Sequence, residues 1–191
     1  MTGIAVIVII LVVVGLVLLL MYNGLIGKKN QVDNVYASVD TLLKKRYDLI
    51  PNLVASVQQY MAHERELLTE VTELRTRALA SAGGGSLDDQ VALNSQLGAA
   101  LGRVMVAAEA YPDLKANQNF LQLQGSLNEV EEQISAARRA YNAAVTDYNN
   151  ALQMVPTNMI ASAMGLKPRT LFVAQEAERQ NVDVAALFNK R

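Results

Sequence analysis

Hydrophobic and polar positions along this chain follow two regimes. From Ile4 to Met21, eighteen residues run without a polar side chain, and the first charged residue is Lys28. From Val32 onward apolar residues return every three or four positions, with polar residues between them. The first regime has no polar face, as expected of a helix surrounded by lipid rather than by a protein core. At about 1.5 Å per residue it is roughly 27 Å long, close to the hydrocarbon thickness of a bilayer of about 30 Å. Ile4, Val8, Leu11, Gly15, Leu18, Met21 and Tyr22 are read as parts of a membrane anchor, with the Tyr22 ring at the aqueous interface. A cleaved signal peptide would carry a basic start and a small-residue cleavage site. Met1-Thr2-Gly3 and Leu20-Met21-Tyr22-Asn23 provide neither.

The second regime predicts amphipathic helices. Val35, Val39, Leu42, Leu49 and Leu53 form one row, and Ile50, Val54, Val57, Met61, Leu68 and Val71 an overlapping one. Pro51 lies inside this pattern, and its missing N–H predicts a kink or short break near Leu49–Pro51, with helix continuing to about Ala82. Gly83-Gly84-Gly85 ends that segment, and Ser86 is placed to cap a helix from Leu87 to about Ala110. Gly98 and Gly102 in that helix predict close approach of a neighbouring backbone. Tyr111-Pro112-Asp113 breaks it. The last long helix, residues 116–154, carries the stripe Phe120, Leu123, Leu127, Val130, Ile134, Ala137, Tyr141, Ala144, Tyr148, Leu152 and Val155. Its 3.5-residue seam, with the near-repeat at Tyr141-Asn142 and Tyr148-Asn149, implies left-handed, coiled-coil-like packing. The predicted class is all-α: a transmembrane helix (1–27), an antiparallel up-and-down bundle of three or four helices (28–165), and a tail (166–191) with room for a short helix.

Composition narrows function by exclusion. Seventeen basic and 18 acidic residues leave a formal charge of −1, and no basic patch argues for nucleic acid. With no cysteine, disulfides, thiol catalysis and thiolate metal sites are removed together. His63 is the one histidine; a metal reading would need Glu64, Glu66 or Glu70 to converge on it, and a solvated surface histidine is the simpler reading. No catalytic, cofactor-binding or metal-binding residues are assigned. The polar residues set in the helical seams are the candidate site: Arg46, Asp48 and Asn52 beside Pro51, and Glu131, Arg138 and Asn142 beside Tyr141. They form either a buried layer that fixes helix register or a partner-docking notch at the kink.

Four segments carry a family resemblance: Arg46-Tyr47-Asp48-Leu49-Ile50-Pro51-Asn52-Leu53-Val54, then Tyr60-Met61-Ala62-His63-Glu64; Tyr111 through Asn117 with Phe120; Ala137-Arg138 with Tyr141-Asn142; and Val155-Pro156-Thr157-Asn158-Met159-Ile160-Ala161 leading to Gly165-Leu166-Lys167-Pro168. In this order they resemble the LemA family, departing from its common pattern at Val155 and Val173. The resemblance implies a bacterial single-span membrane protein with a helical bundle and no established catalytic activity. Lys28 and Lys29 after the span place the bundle in the cytoplasm by the positive-inside rule. The resemblance also implies the other side, because some relatives are lipid-anchored at the position before Tyr22. Three roles are compatible: a self-assembling scaffold or adaptor in the bacterial envelope; an accessory or substrate adaptor of a membrane enzyme such as a quality-control protease; and a sensor binding peptide or lipid. Expected partners are the bilayer, a second copy and a membrane protein.

Overall fold

The computed structural model describes residues 2–82, 84 and 86–172. Val173 and the short helix expected near Leu187 and Phe188 lie outside them. Among the described residues six helices follow in order: α1 (Thr2–Gln58), α2 (Arg65–Ala82), α3 (Leu87–Ala108), α4 (Pro112–Lys115), α5 (Gln118–Gln153) and α6 (Thr157–Ala163). No strand occurs among the described residues, and the class is all-α.

Helix α1 is one piece for 57 residues, about 85 Å at 1.5 Å per residue. Its first third is the apolar run, exposed to its surroundings and long and apolar enough to cross a membrane. Leu25, four residues after the run, is already buried against Ala151 and Ala161. The bundle therefore begins close to one helical turn beyond the anchor. α5 returns antiparallel along α1, with Tyr36 beside Tyr141 and Arg46 bonded to Glu131. α2 and α3 form a second hairpin against the distal half of α1. The main core runs from Val32 to the distal loop, through Leu53, Val57, Met61, Val71, Leu97, Val104, Leu114, Val130, Ile134 and Val145. α3 also has the length and composition of a span, but it packs within this core.

The cap at Ser86 forms as expected, its hydroxyl accepting from the Asp89 N–H at 3.1 Å. Asn117 caps α5 in the same way, accepting from Asn119 and Phe120. α6 ends in a Schellman turn: the Leu166 N–H reaches the Ala161 carbonyl, the Gly165 N–H reaches that of Ser162, and Gly165 has φ +64°. Glycine is required there because side chains rarely tolerate positive φ.

Of the kink or break expected at Leu49–Pro51, the break does not occur: the helix continues to Gln58, and the chain reverses at residues 59–64, inside the stretch expected to stay helical to Ala82. Proline removes the N–H that would bond the carbonyl four residues earlier, which is Tyr47. Arg75 of α2 replaces it: its Nε donates to the Tyr47 carbonyl at 2.7 Å. The reversal at 59–64 contains neither Gly nor Pro, and Met61 within it is fully buried. The α5 stripe also ends early: Val155 is 79 % exposed, because the helix closes at Gln153 and Val155 lies in the turn beyond it.

Arg75→Ala should lower bundle stability by about 1–3 kcal/mol, the cost of an orphaned buried carbonyl. Adding Pro51→Ala should recover part of that loss, since an alanine at that position would bring its own N–H to the Tyr47 carbonyl. Urea melts of both variants and the double variant measure the coupling; strictly additive effects would disprove this account.

Candidate functional site

Polar side chains converge at mid-bundle on one buried group. Arg46 is 1 % exposed, the most deeply buried charge among the described residues. α1 presents it toward α3 and α5. Its Nη1 donates to Glu131 Oε2 at 2.7 Å, and its Nη2 to Asn94 Oδ1 at 2.6 Å and the Asn94 carbonyl at 3.2 Å. The Tyr47 hydroxyl donates to the same Asn94 oxygen at 2.8 Å. Asn94 in turn donates to the Gln90 carbonyl at 2.8 Å, and Tyr36 donates to Gln90 Oε1 at 3.0 Å. Burial pushes the Tyr47 hydroxyl above its ordinary pKa, with the Asn94 bond opposing, so it is a protonated donor at neutral pH. The arrangement is a chain of donors and acceptors joining α1, α3 and α5.

A groove of about 530 Å³ opens over this node, between α3 and α5. Its walls include Gly98, Gly102 and Leu127, with Arg46, Asn94 and Glu131 at its polar end. The two glycines do not admit a neighbouring backbone, contrary to expectation: a Cβ at either would meet no atom within 4 Å. α3 and α5 diverge there instead of packing closely.

The remaining candidate residues separate. Asp48, Pro51 and Asn52 face outward on α1 and do not join the node. The helix is intact through Pro51. Tyr141, Asn142 and Arg138 serve the tail. Residues 166–172 run back along α5 in extended form, and Phe172 is buried with its ring 4.8 Å from that of Tyr141. The Arg138 guanidinium lies 5.7 Å from the Phe172 ring centre. The Asn142 amide donates to the Phe172 carbonyl at 2.9 Å and accepts from its N–H at 2.8 Å. Asn149 does the same with Arg169, both at 2.9 Å. Tyr141 and Tyr148 donate to the carbonyls of Thr170 and Lys167. Seven helical residues rise about 10.5 Å and three extended ones about 10 Å, so one heptad of α5 matches three residues of tail. Burial also raises the Tyr141 pKa.

Asn94, Gln90, Arg75 and Asn149 were not singled out by sequence. The signal for the first two is present: the row through Leu97 meets Asn94 three residues earlier and Gln90 seven earlier. Asn149 is marked by the Tyr-Asn repeat it shares with Asn142, whereas Arg75 carries no mark, since an arginine on an exposed helix face is ordinary. His63 is exposed in the distal loop, and no group of three metal-ligating residues occurs among the described residues.

The sequence profile of the LemA family matches residues 35–185. The chain belongs to the LemA family. It is 29 % identical over 171 residues to Protein LemA of Metamycoplasma hominis, covering 87 % of this chain and 75 % of that one. It is 24 % identical over 196 residues to Magnetosome protein MamQ 2 of Paramagnetospirillum magneticum, covering 91 % and 72 %. A third relative, Magnetosome protein MamQ of Magnetospirillum gryphiswaldense, is 25 % identical over 173 residues, covering 78 % and 64 %. With the exposed apolar start of α1, the LemA relationship describes a membrane-associated helical protein. The LemA motif residues lie at the joints of the fold. Arg46 and Tyr47 form the node, Tyr60 accepts a bond from Asn117 across the distal loops, Asn142 grips the tail, and Gly165 turns the chain into it.

Replacing Asn94 by Leu should cost on the order of 3 kcal/mol, because Arg46 and Tyr47 lose their shared buried acceptor. Glu131→Gln should cost no more than about 1 kcal/mol, since that carboxylate is half exposed and screened. Denaturant melts rank the two; the reverse order would show that the ion pair, not the amide, anchors the node.

Proposed function

We propose that this LemA-family protein is a non-enzymatic, single-pass membrane scaffold that self-assembles and organises other proteins of the bacterial envelope. One observation carries the reading: α1 is unbroken from Thr2 to Gln58, so anchor and bundle share a single helix. A continuous helix of this kind sets the height of the bundle above the bilayer, which suits presentation of a surface more than turnover of a substrate. The titratable groups agree. Arg46 and Glu131 are spent on each other and on Asn94, and general acid–base chemistry wants such groups aimed at a substrate cavity. Lys28 and Lys29 favour a cytoplasmic bundle.

The groove between α3 and α5 favours a second reading, an adaptor that holds a segment of a membrane enzyme's substrate or of the enzyme itself. Light scattering of the full chain in detergent at micromolar concentration tests self-assembly: the expected mass exceeds one chain, and a monomer would overturn the scaffold. The glycines separate the two readings. Gly98→Ala with Gly102→Ala should raise stability by about 1 kcal/mol per site, because each added methyl has open space and helix propensity improves. The scaffold keeps its mass in this variant, whereas the adaptor, its groove made shallower, loses a partner.

A further inference from the structure

The corner between α5 and α6 exposes a cluster of apolar side chains at the anchor end of the bundle. Met154 is 63 % exposed, Val155 79 % and Met159 71 %. From Tyr148 to Leu166 there is no charged side chain, and the next two charges, Lys167 and Arg169, are both positive. In water such a patch is a liability. Its position explains it. Ala151 and Ala161 pack on Leu25, and α5 runs antiparallel to α1, toward the apolar run. α5 ends at Gln153, two residues beyond Ala151, and Met154 and Val155 lie in the turn past it, while Met21 lies four residues, about 6 Å of helix, before Leu25. The corner therefore stands beside the end of the apolar run.

We propose that the α5–α6 corner is a second membrane contact, with Met154, Val155 and Met159 entering the interfacial layer of the bilayer beside α1. The inference rests on the reading of α1 as a span. The occupant is lipid rather than a second copy, because the patch is continuous with the anchor at a height the bilayer already fills. Lys28 and Lys167 are exposed and follow the two apolar segments in sequence, where anionic headgroup phosphates attract them. Arg169 bonds Asp33 of α1 at 3.1 Å, which holds the tail on the anchor side of the bundle. The contact gives the bundle two points of attachment and so fixes its tilt, which one helix alone leaves to rotation.

The absence of cysteine allows a direct test. Single cysteines replacing Leu11, Val106, Val155 or Met159 in the full chain are labelled with an environment-sensitive fluorophore. The proteins are reconstituted in phosphatidylcholine–phosphatidylglycerol vesicles containing spin-labelled lipid. Leu11 should be quenched by a deep label, Val155 and Met159 by a shallow one, and Val106, 74 % exposed on α3, by neither. Quenching at Leu11 with watery emission at Val155 and Met159 overturns the second contact and leaves the anchor. No quenching at Leu11 overturns the anchor itself. A blue shift at Val155 that vanishes on dilution to one chain per nanodisc assigns the patch to a second copy and overturns the lipid contact.

Discussion

A guanidinium kept out of water must find acceptors, and the bundle is arranged around that requirement. Arg46 cannot lose its proton, so its burial is tolerated only where Asn94 and Glu131 meet it. Those acceptors come from α3 and α5, which scarcely pack on each other. The node thus does for these two helices what apolar packing does for α1 with α5. Sliding α3 by one turn would part both Arg46 Nη2 and the Tyr47 hydroxyl from Asn94, leaving Arg46 with Glu131 alone. Apolar seams tolerate such slips far better, because one leucine resembles the next.

The same logic recurs at smaller scale. Pro51 creates an orphan carbonyl near the C-terminal end of the longest helix, and Arg75 supplies the donor from a neighbour. Tyr148 and Asn149, then Tyr141 and Asn142, lend side-chain hydrogen bonds to an extended tail that has no strand to pair with. In each case a backbone or buried group lacking its ordinary partner is satisfied by one long polar side chain from another element. At each such point an apolar substitute could fill the volume but not make the hydrogen bonds.

Membrane attachment and bundle are therefore hard to separate physically. Leu25 is both the first core residue and a near neighbour of the apolar run, and the α5–α6 corner packs on it. Force or rotation applied to the anchor passes into α1 without a hinge, and α1 carries the node at Arg46.

The helical class, the anchor, the Ser86 cap and the α5 seam were legible in sequence, because each depends on periodicity or on chemistry within a few residues. Arg46 and Glu131 were also legible as polar residues in apolar rows, though not as partners. The path of α1 through Pro51 was not, since the deciding donor lies on another helix. Nor was the reversal at residues 59–64, which has neither Gly nor Pro and turns about the buried Met61. The doubled Tyr-Asn reads as packing along one helix until the tail is laid beside it. Sequence by itself determined which stretches are helical and which one suits lipid, because those depend on local spacing and solvent. Tertiary structure alone decided which polar groups find each other, because a hydrogen bond between residues 85 positions apart leaves no periodic trace in either.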